Sequence, residues 1–117
     1  WEGLLAEGSA YIEMALDPEV RRIVLLDGPA FLGDPSRWPS QNACLDMTKQ
    51  TVGRLISDEM VKPVDVEAAA RLLNGAALNA ALWVAESEDP RSALPRAVAT
   101  FRQMATGLLA EKGRSAE

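Results

Sequence analysis

The sequence predicts an all-α fold, a bundle of about five helices that forms one domain over residues 1–117. Apolar residues recur at three- and four-residue spacing between Pro and Gly positions, which is typical of amphipathic helices. No stretch shows the strict alternation of a convincing strand. The chain is 48% hydrophobic and 25% charged, an ordinary balance for a globular domain of this length.

The first two predicted helices lie before residue 30. The first is expected from about residue 2 to 16, with apolar positions at Leu4, Leu5, Ile12 and Leu16. The second is short: Asp17 is a good N-cap, Pro18 suits the first helical position, and Gly28 followed by Pro29 ends the helix. The apolar run between these signals is therefore interpreted as a helix packed among others.

The third predicted helix is long and amphipathic and continues to Ile56. Pro39 is expected to kink or restart it, because proline removes a helical hydrogen bond, and Ser40 offers a new N-cap. Its inward face is predicted to carry Cys44, Met47, Thr48, Thr51, Val52, Leu55 and Ile56. The two threonine hydroxyls are expected to bond to the preceding turn, and Cys44 is expected to be a buried, inert side chain.

The last two predicted helices span residues 65–87 and 94–111. The first begins at the N-cap Asp65 and is apolar on nearly all sides, with many alanines. The second has one apolar stripe, made of Leu94, Ala97, Val98, Phe101, Met104, Ala105 and Leu108. A helix that is apolar all round must be buried all round. We therefore expect these helices to pair with the same helices of a second copy; the alternative is a monomer in which the earlier helices cover them.

Composition excludes several classes of function. The chain has no histidine, which removes the usual near-neutral general base and the usual transition-metal ligand, so no metal and no cofactor are expected. The net charge of -5 and the scattered Lys and Arg residues argue against binding of this segment to the phosphate backbone of a nucleic acid. No window is apolar enough for a membrane span. A cytoplasmic location is expected, because one cysteine cannot form an internal disulfide.

The order of these features resembles the C-terminal ligand-binding and dimerisation domain of the TetR family of transcriptional regulators. The resemblance is carried by "DPEVRRIVLLDGPAFLG" (residues 17–33), the long helix after "RW", the segment "VDVEAAARLLNGAALNAALWVAES" and the amphipathic helix that closes the chain. It implies a homodimer formed through a four-helix bundle of the last two helices, and a small apolar or amphipathic effector bound among the helices before them. It also implies DNA binding only through an N-terminal helix-turn-helix, which nothing here matches and which we expect to be encoded ahead of Trp1. The sequence departs from the family at Pro39.

By position, the resemblance implies two sets of site residues. The expected ligand-binding set is mixed in character: Met14, Phe31, Trp38, Asn42, Met47, Thr51 and Leu55. The expected dimer interface consists of Asn74, Ala77, Leu78, Ala81, Val98, Phe101, Met104, Ala105 and Leu108. Each ligand-binding candidate can instead be an ordinary core residue.

Two other classes of function stay open at this point. The chain could be a helical adaptor that dimerises without any small-molecule site. It could also be a small helical enzyme of the chorismate mutase kind, which requires several arginines that converge on a dianion. Arg21, Arg22 and Arg71 instead occupy positions typical of solvated side chains. No catalytic residue is therefore predicted.

Overall fold

The computed structural model describes residues 1–18 and 39–110, with the backbone alone for residues 39–43. In these ranges the regular elements are helical: α1 (Glu2–Glu13), a 3-10 turn (Met14–Leu16), α2 (Pro39–Ser57), α3 (Val66–Glu86) and α4 (Pro90–Thr106). The predicted all-α class is confirmed. The short helix predicted from Asp17 to Gly28 lies almost wholly outside the described residues.

Helix α1 and the 3-10 turn together cover the range predicted for the first helix. The side chains of Leu4, Leu5, Ile12 and Ala15 are buried along one side of this segment. The segment packs against both α3 and α4. On its exposed side, the Arg102 guanidinium of α4 contacts both carboxylate oxygens of Glu2, at 3.1 and 3.0 Å. This ion pair is open to water, so burial of the apolar side contributes most of the stability.

Helix α2 begins at Pro39, which agrees with the predicted restart of a helix at this residue rather than with a kink. A proline at the first helical position loses no intrahelical hydrogen bond, because the N–H at that position has no helical partner. The predicted bonds of the two threonines are confirmed: Thr48 Oγ1 lies 2.9 Å from the Cys44 carbonyl oxygen, and Thr51 Oγ1 lies 3.1 Å from that of Met47. The burial predicted for Cys44 is wrong, because its side chain is exposed.

Helix α3 is the central helix and packs against α1, α2 and α4. Its N-cap is Asp65, as predicted, and the Asp65 carboxylate accepts a hydrogen bond of 2.7 Å from the Ala68 N–H. The buried side of α3 consists mainly of alanines: Ala69, Ala70, Leu73, Ala77, Ala81, Val84 and Ala85. Small side chains let the neighbouring backbones approach closely, so one subunit covers this side by itself.

Helix α4 begins at Pro90, four residues before the predicted start, and ends at Thr106. Asp89 is its N-cap, and Pro95 lies inside the helix. The Arg91 carbonyl therefore lacks its helical donor, but both residues are exposed and water can supply one. The chain after α4 returns to the loop after α2, where the Lys62 N–H donates to the Leu108 carbonyl at 2.8 Å. Within the described ranges no helix is long and apolar enough to cross a membrane.

Candidate functional site

A cavity of about 400 Å³ lies at the centre of the helices. All four helices and the 3-10 turn contribute to its wall. The lining residues are Leu4, Glu7, Gly8, Ala10, Tyr11, Met14, Cys44, Met47, Thr48, Leu73, Asn74, Ala77 and Phe101. Its size falls in the range of small-molecule sites, which are mostly apolar with a few placed polar groups. The cavity can therefore hold a small apolar molecule.

The polar groups of the cavity wall are few, and two of them contact each other. Thr48 Oγ1 lies 2.9 Å from Asn74 Oδ1, and this contact joins α2 to α3. Asn74 Nδ2 is buried and has no hydrogen-bond partner among the described residues. Leaving a buried amide N–H without a partner costs about 1–3 kcal/mol, so this group needs a physical explanation.

Glu7 is the one charged residue among the described residues that line the cavity. Its side chain is exposed, so it lies where the cavity opens to solvent. The described part of the wall supplies no lysine or arginine to balance an anionic ligand. Of the described residues, no three His, Cys, Asp or Glu side chains lie close enough together to hold a metal ion.

The predicted ligand-binding residues whose side chains are described lie at two separate sites. Met14 and Met47 line the cavity, and the Met47 side chain is 60% exposed. Thr51 and Leu55 line a separate cleft beside Trp1, between α1 and α2. Phe31 and Trp38 lie outside the described residues, and Asn42 lies in α2 where only the backbone is described.

Sequence reasoning missed several residues of the cavity wall. Tyr11 precedes Met14 by one helical turn and shares its face, so helical spacing from Met14 could have indicated it. Asn74 is a polar residue on an otherwise apolar helix, and this signal was interpreted as part of the dimer interface. Thr48 was placed on the inward face of α2 without a role in binding.

A second apolar surface lies on the outside of α3 and α4. We call it the outer face and define it by Leu72, Ala76, Ala80, Trp83 and Met104. Leu72 is 74% exposed, Met104 71% and Trp83 45%, which is unusual for large apolar side chains. A shallow groove runs between the two helices here, and the Arg96 guanidinium lies 5.4 Å from the centre of the Trp83 ring.

The predicted dimer-interface residues lie mostly on the inner side of the same two helices. Ala77, Ala81, Phe101 and Ala105 are buried within one subunit, and Leu78, Val98 and Leu108 are half-buried. Asn74, Ala77 and Phe101 line the cavity. Met104 is the member of the predicted set that is largely exposed. The dimer interface predicted from this set stays a prediction.

Phe101 lines both the cavity and the groove of the outer face. Gly8 of α1 lies against the ring, and a Cβ atom built on Gly8 would overlap Phe101 Cε1 and Cζ. Glycine at position 8 therefore permits the close contact between α1 and α4, and it fixes the place of the ring.

The Gly8→Ala substitution is expected to lower the free energy of unfolding by about 1–2 kcal/mol, because the ring must move to admit the new methyl group. Gly3→Ala on the same helix is the control, since nothing lies within 4 Å of a Cβ atom there. This variant is expected to gain up to about 1 kcal/mol from helix propensity. Urea denaturation measures both values, and equal changes in the two variants would contradict the packing of Phe101 on Gly8.

Comparisons with known proteins agree with this architecture. The family described as "Tetracyclin repressor-like, C-terminal domain" matches residues 1–108. The crystal structure of a TetR-family transcriptional regulator from Pectobacterium atrosepticum is similar to this chain, with a TM-score of 0.84 and 38% sequence identity. The similarity covers 93% of this chain and 56% of that protein. No curated protein matches the chain. The chain belongs to the TetR family of transcriptional regulators, and it corresponds to the C-terminal domain of that family.

Proposed function

We propose that this domain binds a small apolar effector and dimerises, and that it thereby controls DNA binding by the regulator to which it belongs. The observation that carries the proposal is the central cavity, which all four described helices and the 3-10 turn line with mostly apolar side chains. The described wall combines buried apolar residues with exposed ones, so a small molecule could enter from solvent and bury its apolar surface there. A catalytic role is not proposed.

The outer face supports the dimerisation part of the proposal. Leu72 and Met104 expose most of their apolar surface, and Trp83 exposes nearly half. The small side chains of Ala76 and Ala80 lie between them and allow close approach of another helix. Two copies of α3 and α4 related by a two-fold axis would bury this face in a four-helix bundle.

The position of Phe101 gives the two activities a physical connection. A ligand in the cavity and a partner subunit on the outer face would both lie next to Phe101, which lines the two surfaces. An effector shifts the balance between two arrangements of the dimer only by as much as its affinity differs between them. We propose that the position of the Phe101 ring is one structural difference between these two arrangements.

DNA binding itself is proposed for a part of the regulator other than this chain. The chain spans 56% of the similar Pectobacterium regulator, and it carries a net charge of -5, which disfavours contact with phosphates. Release or capture of DNA would follow from a change in the separation of the two subunits. The same reasoning applies whether the effector weakens or strengthens DNA binding.

A thermal-shift screen tests the effector proposal against the adaptor alternative. Lipophilic cations, acyl compounds and flavonoid-like aromatics are added to the purified chain. A compound that binds the folded state at 100 times its Kd adds about 2.7 kcal/mol of stability, which corresponds to a rise in Tm on the order of 10 °C. A screen in which no class raises the Tm would favour an adaptor that dimerises without a ligand.

A further inference from the structure

We propose that the Asn74 side chain is the polar anchor of the effector, and that the effector is an apolar molecule with an uncharged oxygen group, a hydroxyl or a carbonyl, that pairs with the Asn74 amide. This inference rests on the proposed function, because it assumes that the cavity is the effector site. It adds the chemical class of the ligand and the residue that recognises it.

The Thr48 hydroxyl carries a single proton. That hydroxyl lies 2.9 Å from the Cys44 carbonyl oxygen and 2.9 Å from Asn74 Oδ1. Both are acceptors, and one proton serves only one of them. Rotating the Asn74 amide by half a turn exchanges Oδ1 and Nδ2 with little change in shape. Nδ2 then donates to Thr48 while Thr48 donates to Cys44.

Both orientations leave one atom of the Asn74 amide without a partner among the described residues. In the first, the unpaired atom is Nδ2, which is buried. In the second, the unpaired atom is Oδ1 in the same place. Thr48 can therefore satisfy only half of the amide. Because Asn74 lines the cavity, a ligand there is well placed to pair with the other half.

The unpaired atom is covered by its surroundings, so contact with a ligand requires a turn of the amide about its terminal torsion. This torsion has a broad energy well in Asn, so a modest turn costs little. A hydroxyl both donates and accepts, so it pairs with either orientation of the amide, whereas a carbonyl pairs only with Nδ2. A neutral oxygen group suffices, because the amide carries no net charge for an ion to balance.

Three probes with one carbon skeleton test the inference: diphenylmethane, benzhydrol and benzophenone, which differ only by CH₂, CHOH and C=O at the central carbon. Calorimetric titration measures their Kd values for the wild-type chain and for Asn74→Leu, which removes the amide and keeps the same number and branching of heavy atoms. Benzhydrol is expected to bind Asn74→Leu about 10-fold more weakly, while diphenylmethane binds both proteins equally or prefers the variant. Comparing each probe across the two proteins cancels the difference in water solubility.

Asn79→Leu is the control, because it makes the same substitution on α3 at an exposed position that does not line the cavity. The 10-fold effect with benzhydrol should be absent when Asn79→Leu is compared with the wild type. Circular dichroism verifies that the variants fold, and Asn74→Ala replaces Asn74→Leu if that variant unfolds. Benzophenone identifies which atom of the Asn74 amide faces the ligand. If Nδ2 faces it, Asn74→Leu weakens the binding of benzophenone as it weakens that of benzhydrol. If Oδ1 faces it, the Kd of benzophenone changes as that of diphenylmethane does.

The outcomes separate this inference from the proposed function. If all three probes bind and the change at Asn74 weakens benzhydrol and diphenylmethane alike, the anchor is overturned and the cavity remains the effector site. If none of the probes binds the wild-type chain, the cavity fails as a site for apolar ligands of this size, and the anchor fails with it. A loss of affinity for benzhydrol without a loss for diphenylmethane supports both the Asn74 anchor and the cavity as the effector site.

Discussion

The double variant Leu72→Glu, Met104→Glu is expected to sediment as a monomer at concentrations where the wild-type chain is a dimer. Both side chains are largely exposed in one subunit, so a carboxylate at either position costs the subunit little. In a two-fold dimer each substitution occurs twice, and four unpaired charges would be buried in the interface. We expect the dissociation constant of the dimer to rise by at least about 100-fold. Analytical ultracentrifugation measures it.

Val64→Glu is the matched control for this experiment. Val64 is also an exposed large apolar residue, but it lies in the loop before α3 and away from the outer face. The control should retain the mass of the wild-type chain. A double variant that remains as dimeric as the control would show that the outer face is not the interface.

The Ala81→Glu variant is expected to unfold. The Ala81 side chain has no exposed surface in one subunit and lies in the alanine-rich core around α3. A carboxylate there is buried without a partner and also exceeds the available volume, which together cost more than about 3 kcal/mol. Small domains are stable by about 5–15 kcal/mol, so the loss is a large part of the total. Urea denaturation followed by circular dichroism measures it.

Ala68→Glu provides the comparison on the same helix. Ala68 is exposed in the first turn of α3, where an acidic side chain suits the helix dipole, so the free energy of unfolding should change by less than about 0.5 kcal/mol. If Ala81→Glu instead kept full stability and only changed the mass, position 81 would lie between subunits and the described packing of α3 would be incorrect.

Most of the fold could be predicted from local signals. Asp65 and Pro90 mark the starts of α3 and α4 because capping and proline geometry act within one helical turn. The predicted start of α4, at residue 94, is four residues late, because the helix continues through Pro95. An exposed proline in an early turn costs less than one in a packed helix interior, since water can satisfy the freed carbonyl of Arg91.

Which side of α3 is buried in the subunit could not be predicted from such local signals. Apolar periodicity locates a buried side only when the opposite side is polar, and α3 has alanines or leucines on nearly all sides. The sequence therefore did not distinguish Ala77 and Ala81, which are in the core, from Ala76 and Ala80, which line the outer groove. Only tertiary packing separates these two sets.

The role proposed for Asn74 depends on a contact that no sequence pattern contains. Its neighbour Thr48 lies 26 positions earlier, on another helix, and the two meet because α2 packs on α3. From the sequence, Asn74 is expected only in the dimer interface. Met14 and Met47 were placed in the ligand site by their family positions, and both lie in the cavity wall.

Methyl NMR of the four methionines tests the central claim most directly. Met14 and Met47 line the cavity, Met104 lies on the outer face, and Met60 lies in the loop after α2. The chain is titrated with the compound that raises its Tm most. Saturable shifts of the Met14 and Met47 signals are expected, with the Met60 signal unchanged. Shifts confined to Met104 or Met60 would place the ligand outside the cavity and contradict the proposed effector site.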